Sequence, residues 1–85
     1  MTPPILWRRH PLLVSPPVPL GELMAQFHEG SGESHLLTRF TSRVLDALRD
    51  GPLELAELAS RYGLAAEEVA AGLLDLFDAG LVVEG

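Results

Sequence analysis

"ELMAQFHEGSGESHLLT", residues 22–38, reads as two short strands joined by a tight turn. Leu23 to His28 is one strand candidate and Ser34 to Thr38 the other. Between them, Glu29-Gly30-Ser31-Gly32-Glu33 supplies the glycines that a turn with positive φ requires. The inner part of this hairpin also concentrates reactive side chains. His28, His35, Ser31, Ser34, Glu29 and Glu33 lie within ten residues, so an active site or a metal site has to be weighed against a plain turn.

C-terminal to the hairpin the pattern becomes helical. Phe40, Val44, Leu45 and Leu48 recur at the spacing of one helix face, and Gly51-Pro52 stops the run, giving a first helix over about 39–50. Thr38 or Thr41 can cap its start. A second helix over 55–62 buries Leu55, Leu58 and Ala59 and is closed by Gly63. A third runs over 66–79 and stops at Gly80. Glu67 and Glu68 occupy its first turn, where the helix dipole favours negative charge. Ala65 stands where a capping Asp or Ser would be expected. Leu81-Val82-Val83 is a short apolar segment able to fold back onto the sheet or the first helix. The last two helices, joined by a glycine turn, form a helix-turn-helix pair.

N-terminal to the hairpin, residues 1–22 form a proline-rich arm with Pro3, Pro4, Pro11, Pro16, Pro17 and Pro19. Proline lacks the N–H of a central strand, so this arm is expected to be extended, edge-like or loose, tacked down by Trp7 and Leu12-Leu13-Val14. The whole chain, 85 residues, fits one small domain spanning 1–85. Cysteine is absent, which excludes disulfides and thiolate ligation. No apolar run reaches the roughly 18 residues of a membrane span, and no secretory signal follows the N-terminal arginines. A soluble, cytoplasmic protein without a membrane partner is expected.

Charge is distributed unevenly. Residues 1–43 hold four arginines and three glutamates, +1, whereas residues 44–85 hold two arginines and nine acids, −7. There is no lysine. An acidic half repels phosphate backbones, so a nucleic-acid partner is not expected. The third helix, where a DNA reader would carry basic or amide side chains, has Glu67, Glu68, Asp75 and Asp78 instead. No wing hairpin is expected after that helix.

The histidines do not form a recognisable site. His28 and His35 could face each other across the hairpin with His10 or Glu33 as a third ligand, but the spacing matches no specific metal centre. Two solvent-facing strand residues are expected, and no metal or other cofactor. Ser31 and Ser34 lack an orienting partner for nucleophilic catalysis, so no catalytic residue is assigned. "EGSG" is not a phosphate loop, because Gly-Lys-Ser/Thr is missing.

The third helix carries one residue out of pattern. At about 100° per residue, Val69, Ala70, Leu73, Leu76 and Phe77 form a core stripe centred on Leu73. Leu74 lies off that stripe, on a flank with Glu67, Ala70, Ala71 and Asp78. Beside a strand edge it would form one wall of an apolar groove.

Taken together, "SGESHLL" at 31–37, "VLDALRDGP" at 44–52, "LAELASRYGL" at 55–64 and "EEVAAGLLDLFDAGLV" at 67–82 resemble the PqqD-like proteins. These are small peptide chaperones, also called RiPP recognition elements. The branch found with HPr-kinase-related proteins is the most similar. The resemblance covers about residues 23–83. It implies an α+β, winged-helix-like domain with a small antiparallel sheet packed on three helices. It implies no catalysis. The implied function is to bind the leader of a ribosomally made precursor peptide by strand addition and present it to a modifying enzyme, HPr-kinase-related in this branch. Carried onto this chain, the implied peptide-binding residues are Ser34, His35, Leu36, Leu37 and Thr38, facing Glu67, Ala70, Ala71, Leu74 and Asp78. An unpaired edge with side-chain pockets suits that role. It could equally join two copies into a homodimer. The chain departs from the family in having Ser34 for Thr, three prolines where a first strand should lie (Val14 to Leu20), and no cap on the third helix. The alternative reading is a winged-helix interaction module or transcriptional regulator.

Overall fold

The computed structural model describes residues 5–85; the expectations for Pro3 and Pro4 lie outside the described residues. Along the chain come β1 (Leu6–Arg9), β2 (Val18–Leu20), β3 (Leu23–His28), β4 (Glu33–Thr38), α1 (Arg39–Ala47), β5 (Leu53–Glu54), α2 (Leu55–Tyr62), α3 (Ala66–Asp78) and β6 (Val82–Glu84). The strands make two antiparallel three-stranded sheets, ordered β2-β3-β4 and β5-β1-β6. The α+β architecture with an N-terminal hairpin and three helices is the one expected.

The hairpin forms where the glycines permit it. Gly32 adopts φ 74° in the turn, a backbone conformation costly for residues with a Cβ. Gly30 is needed for a different reason: a Cβ there would lie 2.8 Å from Cε1 of His28. The register pairs Met24 with Leu37, Ala25 with Leu36 and Gln26 with His35. Met24, Gln26, His28 and Leu37 therefore turn toward the helices, while Leu23, Ala25, Phe27 and Leu36 face outward.

Each helix end has a local cause. Thr38 caps α1, its hydroxyl accepting the Thr41 N–H at 3.1 Å. Glu54 and Glu57 form a reciprocal capping box at α2, and Gly63 closes that helix in the left-handed conformation. Ala65 offers α3 no side-chain cap, and Glu67 and Glu68 in its first turn are left to complement the dipole. One core joins these elements: Val44 and Leu45 of α1 with Leu48 at its C-cap, Leu58 of α2, Val69, Leu73 and Leu76 of α3, with Leu53 of β5, Val82 of β6 and Leu81 just before it.

The proline-rich arm is more regular than its composition predicts. It supplies two strands, and the prolines sit where strands tolerate them. Pro19 lies in β2, which among the described residues pairs with β3 alone, so on the open side its missing N–H costs no ladder bond. Trp7 of β1 packs on the core and meets Phe77 edge-on, with centroids 5.8 Å apart. Leu13 is buried, but Leu12 and Val14 are exposed. The 81–83 segment folds back onto β1, not onto α1 or the hairpin.

Glu29, in the hairpin turn, clamps the arm. Its carboxylate accepts the backbone N–H groups of Val14 at 2.9 Å and Ser15 at 2.8 Å. The Ser15 side chain, then the Val14 and other backbone donors, hold its pKa down to about 2 from the ordinary 4.5. A depressed carboxylate contributes stability above its unfolded pKa and loses it as pH falls through the folded value. The clamp should therefore be intact above pH 4.5 and released as pH approaches about 2. The Val14 and Ser15 amide resonances followed by NMR are expected to shift together over that window, and Glu29→Gln is expected to remove the transition. Amides insensitive to Glu29 would refute the clamp.

Candidate functional site

The hairpin sheet has two edges of opposite character. At β2 the edge is blunted by Pro19, and Pro16 and Pro17 precede it. At β4 the edge is a proline-free run from Glu33 to Thr38 that pairs with β3 alone among the described residues. The backbone donors and acceptors on its other side are available to an added strand.

A groove of about 260 Å³ runs beside that edge. His35, Leu36, Leu37 and Thr38 form one wall; Thr41 of α1 and Asp75 and Ala79 at the end of α3 complete it. The Thr38 hydroxyl is engaged inside the fold, donating to Oγ1 of Thr41 at 2.9 Å while accepting the Thr41 N–H. The Asp75 carboxylate is the one formal charge in the lining. The groove thus offers an apolar and hydroxyl surface, a strand edge and an anion, suited to a neutral or basic extended peptide.

Of the residues expected at the site, the groove brings together His35, Leu36, Leu37 and Thr38 but not Ser34 or the α3 flank. Ser34 to Thr38 lie on β4 as expected. Glu67, Ala70, Ala71, Leu74 and Asp78 are all exposed, but none of them lines the groove. The reason is the rotation of α3. Its buried residues are Val69, Gly72, Leu73 and Leu76, whereas Ala70 and Phe77 are exposed. Exchanging Ala70 and Phe77 for Gly72 in the stripe turns its centre by about 50° on the helical wheel. Leu74 then points away from β4, and Asp75, about 100° further round, takes its place. The groove residues that the sequence did not single out are Thr41, Asp75 and Ala79. Reading Gly72 as a core position was the signal that would have found the last two.

The histidines also differ from expectation. His28 does not face solvent: it is 5% exposed. Its Nδ1 accepts the Gly30 N–H at 3.0 Å and the Ser31 N–H at 3.3 Å. An acceptor at Nδ1 puts the proton on Nε2, which donates to the Gly80 carbonyl at 3.1 Å. His28 is thereby a latch between the hairpin turn and the end of α3. Nor does it oppose His35, since His28 pairs with Glu33 and His35 with Gln26. The ring near His28 is that of His10, with centroids 4.6 Å apart. No three histidine or acidic side chains converge as a metal site among the described residues. No described helix is long and apolar enough to cross a membrane.

Three helices with α2 and α3 joined through a glycine turn, flanked by small antiparallel sheets, define a winged-helix domain. Residues 36–83 match the family model described as the DprA winged helix domain, and the chain belongs to that family. No curated protein and no solved structure matches it. The match takes in the second half of β4, all three helices, β5 and the start of β6; β1, β2 and β3 lie outside it.

Proposed function

We propose that this winged-helix module is a noncatalytic adaptor, as the resemblance to PqqD-like proteins implies. It captures the leader of a ribosomally made precursor peptide as an added strand on β4. It then presents that peptide to a modifying enzyme, of the HPr-kinase-related kind in the branch it resembles. The observation that supports this reading is the pairing of an unblunted β4 edge with the groove against Thr41, Asp75 and Ala79. Backbone hydrogen bonds along β4 would give affinity, and the groove would select the side chains of one strand face.

The competing reading is a DNA-binding module, which the winged-helix family permits. Against it stand the four exposed carboxylates of α3, Glu67, Glu68, Asp75 and Asp78, on a helix without a basic residue. Phosphate contacts need the opposite sign.

Selection of displayed linear peptides on the immobilised protein, followed by amide exchange of the best binder's complex, tests the proposal. The expected result is added protection at alternate amides between Glu33 and Thr38, those turned away from β3. No recoverable binder, or protection confined to other elements, would count against it. Tight duplex DNA binding that weakens steeply with salt would establish the competing reading instead.

A further inference from the structure

The outward face of the hairpin sheet is apolar across all three strands. Val18, Leu20, Leu23, Phe27 and Leu36 are between 37% and 61% exposed. The register sets Ala25 between Val18 and Leu36 across the strands. Along β3 it is flanked on the same face by Leu23 and Phe27. A small side chain is thus ringed by four large ones. The two remaining outward positions of β4 next to this ring, Ser34 and Thr38, are uncharged. The five large side chains together present on the order of 500 Å² of apolar surface, as large as the largest patch of a typical monomer.

We propose that this face joins two copies of the chain, sheet on sheet, about a two-fold axis. Three features select a second copy as the occupant. Charge is the first. The protein carries −6 overall, so two copies repel across their acidic surfaces but not across this uncharged one. Shape is the second. The depression at Ala25 receives a rim side chain of the partner while its own rim enters the partner's depression, as an isologous contact requires. Area is the third. Two such faces bury on the order of 1,000 Å², where specific interfaces begin. Stacked sheets meet face to face at about 10 Å, so neither edge is consumed. The hydrogen-bonding edge of β4 remains open in each copy, and Leu36, which also lines the groove, is shared by the two surfaces. The inference does not depend on what that groove binds.

Sedimentation of the full chain, at concentrations from about 1 to on the order of 100 µM, is the test. The wild type is expected to dimerise over this range. Phe27→Glu and Leu36→Glu each place two charges in the symmetric interface and are expected to raise the dissociation constant about a hundredfold. Circular dichroism should show both variants folded, since both positions are exposed. If either unfolds, intermolecular NOEs between labelled and unlabelled wild-type copies decide the matter, with contacts expected from the Phe27 ring. A wild type monomeric throughout would overturn the proposal and leave the face to a different partner. A dimer that persists in both variants, or NOEs that map to β4 or the helices, would overturn it in favour of pairing elsewhere.

Discussion

Leu73→Glu is expected to abolish folding, and Leu74→Glu, one residue further on, to melt almost as the wild type does. Leu73 is 2% exposed within the core formed by α1, α2 and α3. An unpaired carboxylate there costs several kcal/mol, and α3 has no basic residue to offset it. A domain of this size holds only about 5 kcal/mol or somewhat more, so one such charge consumes its stability. Leu74 is 60% exposed. A glutamate there meets Asp78 one turn on, a like-charge pair worth only a few tenths of a kcal/mol. Thermal melts followed by circular dichroism distinguish the two. The same pair locates the groove. With Leu74 turned away from β4, Leu74→Glu should leave peptide capture unchanged, whereas Asp75→Lys reverses the one formal charge in the lining and should change affinity about tenfold. A Leu74→Glu protein that folds but loses peptide would move the site round α3 to the flank predicted from sequence.

Replacing His28 by Ala should cost about 3 kcal/mol, a large share of the stability of so small a domain. The loss has two parts. Removing a buried ring leaves a cavity beside Gly30 and His10. It also leaves the Gly80 carbonyl and the Gly30 and Ser31 N–H groups without the partner they have now. Hydrogen bonds stranded in this way cost more than hydrogen bonds gained contribute. His35→Ala is the contrast, since His35 is only half-buried on β4, and an effect of about 1 kcal/mol or less is expected. Urea denaturation of the two variants measures the difference. In His28→Ala the amides of β3 and β4 should also exchange faster than those of α1, because the latch ties the turn to α3. Equal stability of the two variants would show that the latch contributes nothing.

The hairpin and the three helices were legible in the sequence because their causes are local. Gly30 and Gly32 make a turn, Thr38 caps a helix, and Gly63 ends one within a few residues of the groups it satisfies. The edge at Ser34 to Thr38 was legible for the same reason. Composition likewise gave α3 its four carboxylates and no basic residue, since charge does not depend on how the chain packs.

Contacts between distant segments were decided only by the tertiary structure. β1 formed because β5 and β6, more than 40 residues away, offered it partners, whereas β2 paired with the adjacent β3. Periodicity alone could not rotate α3. An average over one helix admits either Phe77 or Gly72 into the core, and Phe77 is drawn out to Trp7 of β1 while Gly72 is buried near Phe40 and Val44 of α1. That choice, made by neighbours remote in sequence, put Asp75 and not Leu74 beside β4. His28 differs from a surface histidine for the same reason: its partner carbonyl, Gly80, lies 52 residues along the chain. Local sequence determined which elements form, and the packing of remote elements determined which of their faces look at each other.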